Sequence, residues 1–453
     1  MILWNIGPTN DVNNYRPISI LPVISKILER HIAFHLRQFL EANLLLHESQ
    51  SGFRADHSCE TALLHIVDKW ISSINNHESV ASIFLDLSKA FDLVNHSILL
   101  QKLKLYNFGS SALKWFSSYL SQRSQKVSIN GHLSEPQDVS AGVPQGSVLG
   151  PLLFVIYIND LPLHTGENTL VDMFADDTTI SAHNTCKQEV HETLQTSLNA
   201  ISHWCSDNSM KLNTSKTKSM YILSSNRQTT QTNTKFTLQA DELDNSTNEK
   251  LLGVTVDNHL SFKMHIENTL KKCNSLLYLL LRIKSFLNLD TRKLFFNAYI
   301  LPHIDYCCTV WGNSSMFMLD KILKFQKRAA RIILDKNFDE PSADLFRQLH
   351  WMTIYERIEY KTSLLVYKGI NKNSPHYISS KFSYVSGERQ LRSSSNNLLY
   401  LPKPKMELFR KGISYAGPKI WNALPLNIRT ADSITTFKTL YIQHKFPNWA
   451  NSN

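Results

Sequence analysis

The sequence predicts a mixed α/β core to about residue 260, followed by a mostly helical region. Three observations carry this. Val80-Ala-Ser-Ile-Phe-Leu85 is a buried-strand run that stops at Asp86, and Thr169 to Ile180 has the pattern strand, tight turn, strand. Val190, Leu194, Leu198, Ile201 and Trp204 recur at helical steps beyond those strands. Past the polar run Ser224 to Asn248, the apolar residues keep mainly helical spacing.

Each element has its own signal. Val127 and Ile129 alternate into Asn130-Gly131, a dipeptide that accepts the positive φ angles of a hairpin turn. A helix is expected from Ser147 to Asp160, capped by the Ser147 hydroxyl. Ala175-Asp176-Asp177 falls at the bend of the strand pair. Ser224 to Asn248 reads as a linker in which Phe236-Thr-Leu238 is a candidate short strand, and Ser386 to Asn397 reads as a second loop. Ile266, Leu270, Cys273, Leu277 and Leu280 form one apolar stripe; Leu319, Ile322, Phe325, Ala329 and Ile333 form another.

The chain has 453 residues, enough for two to four subdomains at roughly 100–200 residues each. Its net charge of +10 favours polyanionic partners, nucleic acid first. Val148 to Ile158, the longest apolar stretch, is broken by Gly150-Pro151 and is too short to cross a bilayer, so no membrane span is expected. The first residues lack a secretory leader, which predicts a chain that stays in the reducing cell interior, in cytoplasm or nucleus. The six cysteines are scattered and read as thiols rather than as a zinc site.

Three acids stand where solvated side chains would be unusual: Asp86 after an apolar run, and Asp176-Asp177 in the turn. Carboxylates gathered this way repel unless a cation offsets them, and Mg²⁺ suits oxygen ligands. Taken singly, Asp176-Asp177 reads as a polar turn and Asp86 as a cap of the following helix.

The surrounding residues extend the pattern. Ile83-Phe-Leu-Asp86-Leu-Ser-Lys-Ala-Phe91-Asp92, Gly142-Val-Pro-Gln145-Gly146-Ser-Val-Leu-Gly-Pro151 and Phe174-Ala-Asp176-Asp177 resemble, in order, motifs A, B and C of non-LTR (LINE-type) retrotransposon reverse transcriptases. Asn14-Tyr-Arg16-Pro17 and Gln50-Ser-Gly-Phe-Arg54 resemble the fingers motifs, Lys211-Leu-Asn213-Thr-Ser-Lys216 motif D, and Leu251-Leu-Gly253-Val motif E. The likeness continues through Gln326-Lys-Arg and Gly417-Pro-Lys-Ile-Trp421, and its details are closest to the jockey-like branch.

The resemblance implies a right-hand polymerase, α/β (α+β), with partial fingers over residues 1–79, a palm over 80–260, a helical thumb over 261–335 and a helical C-terminal region over 336–453. It implies RNA-directed DNA synthesis with two Mg²⁺ ions, Mn²⁺ being a substitute, and as partners an RNA template, a DNA primer or target DNA, and dNTPs. Asp86 and Asp176 would hold both metals, with Asp177 beside them. Phe91 would exclude a ribose 2′-hydroxyl, Gln145 and Gly146 would lie along the nucleotide and template, and Arg54 would grip the triphosphate. Lys216 would stand near the departing pyrophosphate. Lys324, Lys327, Arg328 and Arg331, on one side of a helix, would track phosphates. The family's upstream fingers segment and endonuclease are not expected within this sequence. An RNA-dependent RNA polymerase, or a catalytically impaired mobile-element remnant that binds RNA, are the competing readings.

Overall fold

The computed structural model describes residues 2–4, 15–129, 131–223, 234–385 and 397–449. Its centre is a five-stranded sheet. The elements used below are helices α1 (Val23–Ala42) and α2 (Cys59–Asn75), strand β1 (Ser79–Leu85), helix α3 (Gly150–Ile158), strands β2 (Leu170–Phe174) and β3 (Asp177–Asn184), helix α4 (Lys187–Asp207), strands β4 (Lys218–Ile222) and β5 (Asp244–Asn245), and helices α5 (Lys263–Ile283) and α6 (Met316–Leu334). The strand order is β5-β4-β1-β3-β2, antiparallel except for the β4–β5 pair.

The unbroken apolar run of β1 is explained by its place in the middle of the sheet, with helices on both faces. Ala81, Ile83 and Leu85 point into a core shared with α3 and α4. Val80 joins the opposite core, where the Trp70 indole of α2 donates to Ser181 Oγ at 3.0 Å and its ring meets Phe84 edge-on. The residues expected on the inner face of α4 are all buried in the first core. α3 is buried almost all round, and it starts at Gly150 rather than Ser147 because residues 147–149 form a turn in which Ser147 Oγ accepts from Gly150 N at 2.7 Å. It ends at Ile158, short of the expected Asp160. A Ser58–Thr61 capping box begins α2.

The expected hairpin pairs Ser128–Ile129 with His132–Leu133; Asn130 lies outside the described residues. The expected stripes of α5 and α6 face the second core, with Leu270 only half-buried. That core runs from α2 across the sheet and the hairpin Asn248–Leu251/Val254–Asp257 to Ile413 and Tyr415. A third cluster, around Trp421, Phe437 and Tyr441, closes the C-terminal region.

The linker reading of Ser224 to Asn248 is corrected in its second half. Thr237–Leu238 pairs with Asp241–Glu242, and β5 extends the sheet. Phe236, Leu238 and Leu243 are buried in the first core, and the His191 ring of α4 stacks on Phe236 at 4.5 Å. Residues 224–233, and 386–396 of the second loop, lie outside the described residues. No described helix is long and apolar enough to cross a membrane. All six cysteines are free thiols.

Candidate active site

Strand register brings the acids to one end of the sheet. Leu85 on β1 faces Thr178 on β3, so Asp86 leaves β1 where Asp177 enters β3. Phe174 pairs with Asp177 across a two-residue turn, which places Asp176 at the tip beside Ala175. Ala175 has φ +57°, a left-handed conformation that L residues adopt at a cost. Asp86 and Asp176 are half-buried and Asp177 is exposed.

The segment Lys211–Thr217 clasps the main chain around Asp86. Asn213 N donates to Asp86 O at 2.8 Å, Asp86 N to Thr217 Oγ1 at 3.3 Å, and Ser88 N to Lys211 O at 2.8 Å. Lys216, exposed, is therefore carried on the loop that holds Asp86. Among the described residues, no group of three or more His, Cys, Asp or Glu side chains is closed tightly enough to hold a metal ion. The acids share a sheet end without forming a finished ligand shell. Behind them on β2, the Asp172 side chain is largely but not wholly buried, and its His65 partner stands 3.6 Å away, too far for a hydrogen bond. Burial pushes the Asp172 carboxyl up and the His65 imidazole down to about 2, so both tend toward their uncharged forms.

Phe91 sits in the 3₁₀ turn Ala90–Asp92, with its half-buried ring stacked on Phe154 of α3 at 4.3 Å. Its carbonyl accepts from Val143 N at 2.8 Å, and Asp92 Oδ1 accepts from Gln145 Nε2 at 3.0 Å. The chain around Phe91 and the chain around Gln145 are thus bonded to one another. Gly146 has φ +106°, and a Cβ there would stand 2.9 Å from Ser19 O. Within the chain, the nearest obstruction is the segment whose Ser19 N donates to Gln145 O at 2.8 Å.

Arg54 is engaged by the protein itself. Nε and Nη2 donate to the two Glu41 carboxylate oxygens at 3.2 and 3.0 Å, and Nη1 donates to His47 O and Gln50 O at 3.1 and 3.3 Å. Most of its donors hold the loop to α1.

The sequence reading passed over Gln50. It is fully buried, and its Oε1 accepts from Gly52 N at 2.7 Å and from Ala175 N at 3.0 Å. The available signal was Gly52: a Cβ there would lie 2.3 Å from Ala175 N.

The basic face of α6 divides. Lys324 is exposed and Lys327 half-buried, neither with an ion pair among the described residues. Arg328 donates to Asn274 Oδ1 of α5, whereas Arg331 donates to Glu340 O at 3.0 Å and lies over the Phe338 ring.

Residues 8–256 match the family described as reverse transcriptase (RNA-dependent DNA polymerase). Three Drosophila melanogaster relatives align over most of the chain. The probable RNA-directed DNA polymerase from transposon BS is 31% identical over 79% of this chain and 40% of its own length. The corresponding protein of transposon X-element is 29% identical over 79% of this chain and 39% of its own. The RNA-directed DNA polymerase from mobile element jockey is 29% identical over 77% of this chain and 39% of its own. The chain thus spans about two fifths of the length of these relatives.

Proposed function

The chain belongs to the reverse transcriptase (RNA-dependent DNA polymerase) family, and from that premise we propose that it is the polymerase portion of a non-LTR, jockey-like retrotransposon protein. Its reaction would be the addition of deoxynucleotides to a primer 3′-hydroxyl on an RNA template. The observation that carries this reading is the strand register that brings Asp86 and Asp176-Asp177 to adjacent strand ends, with the Lys216-bearing loop hydrogen-bonded to the main chain around Asp86. We assign residues 1–79 to fingers, 80–260 to palm, 261–335 to thumb and 336–453 to a C-terminal region.

All three acids offer carboxylate oxygens, the donor type that Mg²⁺ and Mn²⁺ prefer. Asp86 and Asp176 would hold a pair of such ions once nucleotide is bound, with Asp177 alongside. Metal ions in this setting lower the pKa of a hydroxyl and offset charge on the leaving oxygen. In the step itself the primer 3′-hydroxyl would lose its proton to solvent water as its oxygen bonds to the α-phosphorus, the bond from the α-phosphorus to the α–β bridging oxygen breaks, and pyrophosphate departs with that electron pair. Lys216 would balance the charge developing on that pyrophosphate. The Phe91 ring, braced by Phe154, would fill the space a 2′-hydroxyl needs. Gln145, tied to Asp92, would keep that wall in register with the nucleotide.

Primer extension by the purified chain on an RNA template with dNTPs and Mg²⁺ is the direct test. Extension that disappears in Asp86→Asn and Asp176→Asn, with RNA binding retained, supports the proposal. Near-normal extension by either variant overturns the assignment of the acids, and RNA binding without any extension by the unsubstituted chain would favour a non-catalytic remnant.

A further inference from the structure

The tip that carries Asp176 is not self-supporting. Ala175 is held at positive φ, and β2 lies at the edge of the sheet, with no further strand beyond it among the described residues. That edge is covered by Ser49-Gln50-Ser51, which runs parallel to β2. Met173 N donates to Ser49 O at 2.9 Å and Ser51 N donates to Met173 O at 2.8 Å, with Gln50 bridged to Met173. From this position the Gln50 side chain reaches past Phe174 to the turn. Its Oε1 takes the Ala175 N–H, a donor the two-residue turn leaves without a ladder partner, and the same oxygen takes Gly52 N–H. Two N–H groups on one oxygen fix which way round the amide sits, since the flipped amide would set donor against donor. The cost is borne at Nε2, which is buried with no hydrogen-bond partner among the described residues. Gly52 lets the two segments come this close, for any Cβ would collide with Ala175 N and with Phe174 C at 3.0 Å.

We propose that Gln50 is a positioning residue for the acid-bearing turn: its carboxamide oxygen locks the Ala175 peptide and so aims Asp176 and Asp177 at Asp86. The inference rests on the polymerase reading for its catalytic consequence, but its structural content concerns the turn alone. Met at position 50 keeps the length and apolar bulk of the side chain and removes the acceptor. Glu keeps an acceptor oxygen at the same reach.

The test combines hydrogen–deuterium exchange on the full chain with primer extension. In Gln50→Met, exchange in a peptide covering residues 173–178 should accelerate at least tenfold while the rest of the sheet and the thermal midpoint hold. kcat for extension should fall at least tenfold with the dNTP KM within twofold, and the Mg²⁺ concentration for half-maximal rate should rise several-fold. Gln50→Glu should recover turn protection, and Gly52→Ala should reproduce the loss. Unchanged turn exchange in Gln50→Met overturns the inference, as does an acceleration spread evenly over the sheet. If the unsubstituted chain fails to extend a primer while Gln50→Met still loosens the turn, the polymerase reading fails and the positioning role stands.

Discussion

Phe91 sits in the turn after β1 with its ring stacked on Phe154. Its position after Asp86 was legible, whereas the Phe154 stack was not, because that pairing joins two segments far apart in sequence. The stack makes Phe91→Val a change with two readouts. Incorporation of rNTPs relative to dNTPs should rise, measured by competing the two in primer extension, while the lost stacking and burial lower stability by about 1–3 kcal/mol in chemical denaturation. Unchanged sugar discrimination together with the stability loss would make Phe91 a core aromatic and nothing more. Arg54, a planar fork in a loop, is suited equally to phosphate or carboxylate, and the sequence contains nothing that pairs it with Glu41 on α1.

At the scale of the element, periodicity did well wherever one face of a long segment is buried. α4, α5 and α6 match their patterns for that reason, whereas the unbroken run of β1 matches because both its faces are covered. Of Ser224 to Asn248, the short strand at Thr237–Leu238 was legible but its docking was not, because Phe236, Leu238 and Leu243 are few and irregularly spaced, yet each is buried in the core beside α4. Polar composition describes a segment's average, and three buried apolar side chains suffice to dock it. α6 carries a sharper prediction than its charge pattern alone allowed. Lys324→Glu with Lys327→Glu should weaken template-primer binding and reduce the log–log salt slope by roughly 0.7–0.9 for each phosphate that is no longer neutralised. Arg331→Ala should leave the slope unchanged and lower the thermal midpoint, since that guanidinium is bonded to Glu340 O and covered by Phe338. Equal effects of the two changes on the salt slope would show that the division of the face is wrong.

Across the whole molecule, the N-terminal helix α2 is the joint between the sheet and the C-terminal region. Its Asp68, buried, accepts from Lys381 Nζ at 2.6 Å, from Ser414 Oγ at 2.6 Å and from Ser414 N at 3.0 Å. Asp68→Ala would strand a buried ammonium and two further donors, so a loss of about 3–5 kcal/mol is expected, and limited proteolysis should then cut within residues 376–422 faster than within the sheet. Tyr377 adds a second tie, its hydroxyl 2.9 Å from Ser51 Oγ in the loop that covers β2. None of this was visible in the sequence, because a lone Asp on an apolar helix and a lone Tyr after a proline carry no mark of their distant partners. The shared second core also bears on how the molecule can be divided. The stretch matched by the family, residues 8–256, owns one face of that core, and the helices beyond it own the other. Cut out for study, this stretch would lose the cover that the later helices give α2 and expose part of its apolar surface as a sticky wall. Such a fragment should cloud under light scattering at concentrations where the full chain stays clear, and its recovery from refolding should depend on detergent.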